Sequence, residues 1–72
     1  MKYQEIVRKT AMTMNLLDGR GKLLPLDSLS IIDFVLALET ASQVQIPTAS
    51  IREETFESVE TIAEMLAELA SR

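Results

Sequence analysis

Asp27-Ser28-Leu29-Ser30-Ile31-Ile32-Asp33-Phe34-Val35-Leu36-Ala37-Leu38-Glu39-Thr40-Ala41-Ser42 is the stretch on which the reading of this chain turns. Ile31, Phe34, Val35 and Leu38 recur at i, i+3, i+4 and i+7, the spacing of one helix face. A helix is therefore predicted from Ser28 to about Ser42, with Asp27 as N-cap accepting from the backbone near Ser30. Leu29, Ile32 and Leu36 form a second apolar set along a different face. A helix apolar on two faces is either buried all round or offers one face to a partner, and a small domain rarely buries a helix completely. The second face is read as docking surface, with Asp33 and Glu39 beside it to suit a partner with a basic rim. The alternative is a cover formed by Leu23, Leu24 and Leu26 of the preceding loop, over the whole stripe or over Leu29 alone.

Working outward, Tyr3, Ile6, Val7, Thr10, Met14 and Leu17 keep helical spacing and predict a first helix from Lys2 to about Leu17. Asp18-Gly19 is read as its end, with glycine at the left-handed position, and Arg20 to Leu26 as a loop. Beyond the central helix, Pro47 is followed by Thr48 and Ser50, caps for a short helix from about Ala49 to Glu54. Ser58 caps a last helix with Val59, Ile62, Ala63, Leu66 and Leu69 on one face and Glu60, Glu64 and Glu68 elsewhere. No segment alternates with the period of a strand. The expected class is all-α: a small four-helix bundle of three longer helices and one short one. With 72 residues and no internal repeat, positions 1–72 are expected to form one domain.

Composition narrows the chemistry. Cysteine and histidine are both absent, which removes disulfides, thiolate catalysis, ordinary zinc sites and the commonest general base. No metal site and no enzymatic turnover are expected. A net charge of −4 disfavours nucleic acid, whose binding rests on clustered Lys and Arg. No apolar run approaches the roughly 20 residues of a membrane span, and the N-terminus lacks the apolar core of a secretory signal. A cytoplasmic monomer is the expectation.

Ser28 opens the central helix, where unpaired N–H groups and the positive end of the helix dipole suit a covalently held phosphate. It is a candidate attachment point, not a nucleophile for turnover. Three further features are assigned no chemistry. Gly19-Arg20-Gly21-Lys22 lacks the spacer and hydroxyl residue of a phosphate-binding loop and is read as a flexible turn. Glu53, Glu54, Glu57 and Glu60 are read as a solvated face, and Met12 and Met14 as core filler.

Asp27-Ser28-Leu29, then Ile31 through Glu39, then Val44-Gln45-Ile46-Pro47 and Phe56-Glu57-Ser58-Val59, taken in order, resemble the acyl carrier proteins from about Leu24 to the C-terminus. The resemblance implies that Ser28 carries a 4′-phosphopantetheine group taken from coenzyme A by a phosphopantetheinyl transferase, with cargo held as a thioester on the arm. It implies that Asp27 orients the transferase complex. Leu29, Ile32, Asp33, Leu36 and Glu39 would face the partners: an acyl- or aminoacyl-loading enzyme and condensing or transferase enzymes of lipid, polyketide or related biosynthesis. Common fatty-acid carriers have acidic residues where this chain has Ser30 and Thr40, and peptidyl carriers have a Gly-Gly-His-Ser-Leu signature absent here. A discrete carrier for a specialised pathway fits better, and acyl, malonyl and aminoacyl cargo, D-alanyl included, stay open. The competing reading is an unmodified helical interaction module that uses Ser28 only as part of a helix start.

Overall fold

The computed structural model describes residues 2–71. It holds three α-helices, α1 (Lys2–Thr13), α2 (Ser28–Ser42) and α3 (Val59–Ala70), and two single-turn 3₁₀ helices, Thr48–Ser50 and Thr55–Glu57. Extended pairing among the described residues is confined to one isolated antiparallel bridge, Leu17 with Leu23. The fold is all-α.

The α1 helix touches both α2 and α3 and so forms the middle of the assembly. Its Val7 and Ala11 are fully buried, against Phe34 and Leu38 of α2 and Ile62 and Leu66 of α3, which are fully buried as well. Phe56 completes this core from the second 3₁₀ turn, meeting Phe34 edge to face at a centroid distance of 6.1 Å and 70°. That geometry contributes about 0.5–1.5 kcal/mol beyond the area it buries. No polar or charged side chain is buried among the described residues, so every ionisable group works at the surface.

Two boundaries differ from the sequence expectation. The first helix ends at Thr13, not Leu17, because Asn15 takes the left-handed conformation at φ 60°. Leu16 N then donates to Ala11 O at 2.8 Å and Asn15 N to Met12 O at 3.1 Å, the paired bonds of a Schellman motif. Gly19 plays no part in this stop; Gly21, at φ 79°, is the glycine that needs its freedom. Met12 lies within α1 but off its Val7–Ala11 face and is 62% exposed, so it is not core filler, while Met14 packs against the core.

The expected short α-helix from Ala49 to Glu54 is replaced by the two 3₁₀ turns, with Ile51 extended between them. The spacing explains the break. Ile46, Ile51 and Phe56 all pack inward at intervals of five residues, and in an α-helix residues five apart point about 140° away from each other. Interrupting the helix at Ile51 returns all three to one side.

The last helix starts where expected. Ser58 Oγ accepts from Thr61 N at 3.2 Å, and Ser58 N donates to Thr61 Oγ1 at 3.3 Å, a capping box closed by threonine. Thr61 Oγ1 also donates to Thr55 O at 2.7 Å, tying the second 3₁₀ turn to the start of α3.

At its far end α2 is closed by Gln43, left-handed at φ 57°, whose N–H donates to Glu39 O at 2.8 Å. A side chain there costs about 1–2 kcal/mol that glycine avoids, partly offset by the greater chain entropy glycine loses on folding. Gln43→Gly is expected to stabilise the fold by about 0.5–1 kcal/mol. Urea unfolding checks it through a higher midpoint at unchanged slope.

Candidate functional site

Ser28 is the first residue of α2 and is exposed. What aims it is Asp27, held extended at φ −84° and ψ 176°, whose Oδ1 accepts from Ser30 N at 2.8 Å. Asp27 O accepts from Ile31 N at 3.0 Å, the first bond of the helix ladder. The N–H groups of Ser28 and Leu29 precede that ladder and leave the helix end as donors, beside the Ser28 hydroxyl. The cap is thus made by Asp27 and not by Ser28, which leaves the serine side chain without a structural duty at the helix start.

The Asp27 carboxyl lies below the ordinary carboxylate range, chiefly because it accepts from the Ser30 backbone N–H, with the Ser30 hydroxyl adding to this. A carboxyl lowered on folding stabilises the native state above its unfolded pKa, and the contribution is lost as pH falls through the lower folded value. Asp27→Asn is therefore expected to flatten the acid side of a melting-temperature profile below about pH 4. Parallel acid profiles for the two proteins would show that the cap is not formed in solution.

The approach to Ser28 is more ordered than a flexible turn. Asp18 Oδ1 accepts from Arg20 N at 2.8 Å and from Lys22 N at 2.9 Å, while Asp18 N donates to Lys22 O at 2.7 Å. These bonds lower the Asp18 carboxyl, the Lys22 N–H most, and fold Asp18 to Lys22 into a tight hairpin. Leu24 N donates to Leu16 O at 2.8 Å one step further on. Leu17, Leu23 and Leu26 are turned onto the core by this arrangement. Pro25 and Leu26 then deliver the chain to Asp27.

Because those leucines face the core, they do not cover the second face of α2. Leu29 is 75%, Ile32 51% and Leu36 58% exposed. Asp33 is exposed on the same side, so Ser28, Leu29, Ile32, Asp33 and Leu36 share one open face, about 12 Å long along the helix axis.

Glu39 is placed differently. It is half-buried, and its Oε2 accepts from Ile46 N at 2.8 Å. Its carboxylate turns toward the segment that follows α2, away from the role of a free rim charge. A backbone N–H seven residues distant leaves no periodic signal, which is why the sequence pattern placed Glu39 with the docking face.

One surface feature has no counterpart in the sequence reading. A cleft of about 390 Å³ lies between the Leu23–Leu26 segment and the second 3₁₀ turn, floored by Leu26, Ile31 and Phe56, with Glu53 and Glu57 on its lining. It joins residues about 30 positions apart in the chain, beyond the reach of local periodicity. No group of three acidic, histidine or cysteine side chains is arranged for a metal ion among the described residues. No helix among them is long and apolar enough to cross a membrane. In comparisons with known proteins, no family model, no curated protein and no solved structure matches this chain.

Proposed function

We propose that the chain is a discrete acyl carrier protein, of the four-helix acyl-carrier type with its third helix reduced to 3₁₀ turns, modified at Ser28 by 4′-phosphopantetheine. The observation that carries this reading is an exposed serine at the first position of a capped helix, whose hydroxyl is not spent on the cap, followed directly by an uncovered apolar stripe. The residues fit the group. A phosphodiester on Ser28 Oγ lies beside the free N–H groups of Ser28 and Leu29, and the helix dipole favours its single negative charge. Leu29 and Ser28 are both exposed, so an arm leaves the surface unobstructed.

Ser28 Oγ is the acceptor in the loading step. It forms the new bond to the pantetheine-side phosphorus of coenzyme A, the bond from that phosphorus to the adenosine bisphosphate half breaks, and the hydroxyl proton leaves to a base of the transferase. Once bound, the group supplies a terminal thiol that holds cargo as a thioester, which a chain without cysteine cannot supply itself. Asp27 fixes the helix start during this step, and Leu29, Ile32, Asp33 and Leu36 form the contact for the transferase and the loading, condensing or transfer enzymes. Glu39 supports that surface from its edge by holding the chain after α2.

The exposed stripe by itself also suits an unmodified interaction module, and intact mass separates the two. Co-expression with a promiscuous phosphopantetheinyl transferase is expected to add the mass of one arm, mapped by peptide analysis to Ser28. An unchanged mass under conditions that modify a known carrier rejects the carrier reading.

A further inference from the structure

We propose that the open face of α1 and the tip of the Asp18–Lys22 hairpin form a second docking surface, fitted to an acidic protein surface that carries an apolar anchor. The inference goes beyond the carrier reading and holds whether or not Ser28 is modified. It starts from the distribution of charge. Five of the seven cationic residues, Lys2, Arg8, Lys9, Arg20 and Lys22, fall within the first 22 positions, against only Glu5 and Asp18 of the eleven acidic ones. A chain of net charge −4 thus carries a basic N-terminal third.

Folding gathers most of this charge on one side. Lys2, Glu5, Arg8, Lys9 and Met12 are all exposed and share an arc of about 120° on α1, roughly opposite the Val7–Ala11 face that packs on α2 and α3. Beyond Met12 a shallow cleft of about 270 Å³ separates the end of α1 from the hairpin, lined by Met12, Asn15, Leu17, Asp18 and Gly21. Arg20, exposed, stands between the two hairpin residues that border this cleft. The bonds from Arg20 N and Lys22 N to Asp18 Oδ1 order the backbone that carries it. Lys22 itself borders a different cleft, with Glu57 and Glu60, and takes no part. The result is a methionine, 62% exposed, with Arg8 and Lys9 one turn back along the helix and Arg20 beyond the cleft.

The charge selects the occupant. Methionine is a flexible, polarizable contact residue, and an acidic protein surface with an aliphatic anchor complements both it and its cationic flanks. An anionic bilayer meets four cations with Glu5 among them, on a molecule of net negative charge that has one methionine to insert. A second copy brings the acidic run from Glu53 to Glu68 but the same net charge, and pairing that run with α1 is head-to-tail and does not close. Because α1 and α2 turn their core faces to each other, this surface and the Ser28 face point to different sides, and the chain can hold two partners at once.

The probe is a short helical peptide with leucines on one face flanked by glutamates, beside the same peptide with lysines for glutamates. Amide shifts in the full chain report binding. The glutamate peptide is expected to move Arg8, Met12, Asn15 and Gly21 and to leave Leu29, Ile32 and Leu36 in place; the lysine peptide is expected to move none of the first group. Arg8→Gln and Arg20→Gln are each expected to weaken binding about two- to fivefold, the range an exposed charge contact supplies, and added salt weakens it in the unmutated chain. Circular dichroism checks that both variants keep the fold. The same shifts are expected in Ser28→Ala, so the carrier reading can fail without this one.

No shift at the α1 and hairpin amides with the glutamate peptide, equal shifts with the lysine peptide, or binding indifferent to both arginine substitutions would overturn the proposal. A response of the same amides to vesicles of phosphatidylserine and phosphatidylcholine in place of the peptide assigns the surface to an anionic bilayer and overturns it too. So does a response to protein concentration alone, with a rise in sedimenting mass, which assigns it to a second copy.

Discussion

Phe34→Ala is expected to destabilise the fold by about 3–5 kcal/mol, which is most of the stability a domain of this size has. Phe34 is fully buried, and removing its ring deletes both the transfer free energy and the edge-to-face contact with Phe56, 6.1 Å away. Phe56 sits on a 3₁₀ turn tied to the start of α3 by the bond from Thr61 Oγ1 to Thr55 O, which limits how far it can move to refill the space. Ile32→Ala, two positions earlier but on the open face, is expected to cost about 1 kcal/mol or less. Denaturant melts of the two variants side by side check the contrast, and partner binding should show the opposite order. A similar loss from both would mean that Ile32 is covered in solution and that the docking face lies elsewhere.

Ser28→Ala is expected to abolish arm transfer completely while leaving the melting temperature nearly unchanged. On the proposed carrier reading the loss is total, because the hydroxyl oxygen would be the atom that bonds phosphorus. The fold survives because the helix cap belongs to Asp27 Oδ1 and Ser30 N, and alanine is a better helix former than serine. Labelling with a fluorescent coenzyme A analogue measures the first effect and circular dichroism the second. If the variant still takes label and peptide mapping finds it elsewhere, Ser28 is not the site.

The parts of the molecule that were legible in the sequence are those governed by local chemistry. Asp27 and Ser58 announced the starts of α2 and α3 because a capping side chain bonds a backbone N–H only three residues away. Leu29, Ile32 and Leu36 were legible as an open face because the Ile31–Leu38 set already filled the core stripe. The stop of α1 was not. Asparagine takes the left-handed conformation less often than glycine, and the apolar spacing runs on through Leu17 because Leu16 and Leu17 pack on the core from outside the helix. Tertiary contact imitated helical periodicity.

The segment after Pro47 failed for a related reason. Thr48 and Ser50 offered capping chemistry, but the five-residue spacing of Ile46, Ile51 and Phe56 fits no single helix, and only the core they share decides how the chain bends between them. At the candidate site, sequence pattern anticipated the Asp27 cap and the open Leu29–Leu36 stripe, yet missed the cleft and the bond that turns Glu39 toward Ile46. Both depend on segments that meet only after folding.

The bond from Ile46 N to the Glu39 carboxylate has a consequence for how such chains can drift in sequence. Its donor is main chain, present whatever residue stands at position 46, so substitution there need not be answered by a change at Glu39. The two positions are coupled in energy without covarying in identity, and a search for correlated exchanges would pass over them. The exception is the imino acid. Proline stands at position 47, where no donor is required; moved one residue earlier by a shift in loop length, it would delete the donor and leave a half-buried carboxylate without its partner. Loop length after α2 is therefore constrained by a proline's register, and not by the identity of the side chains on either side of the bond.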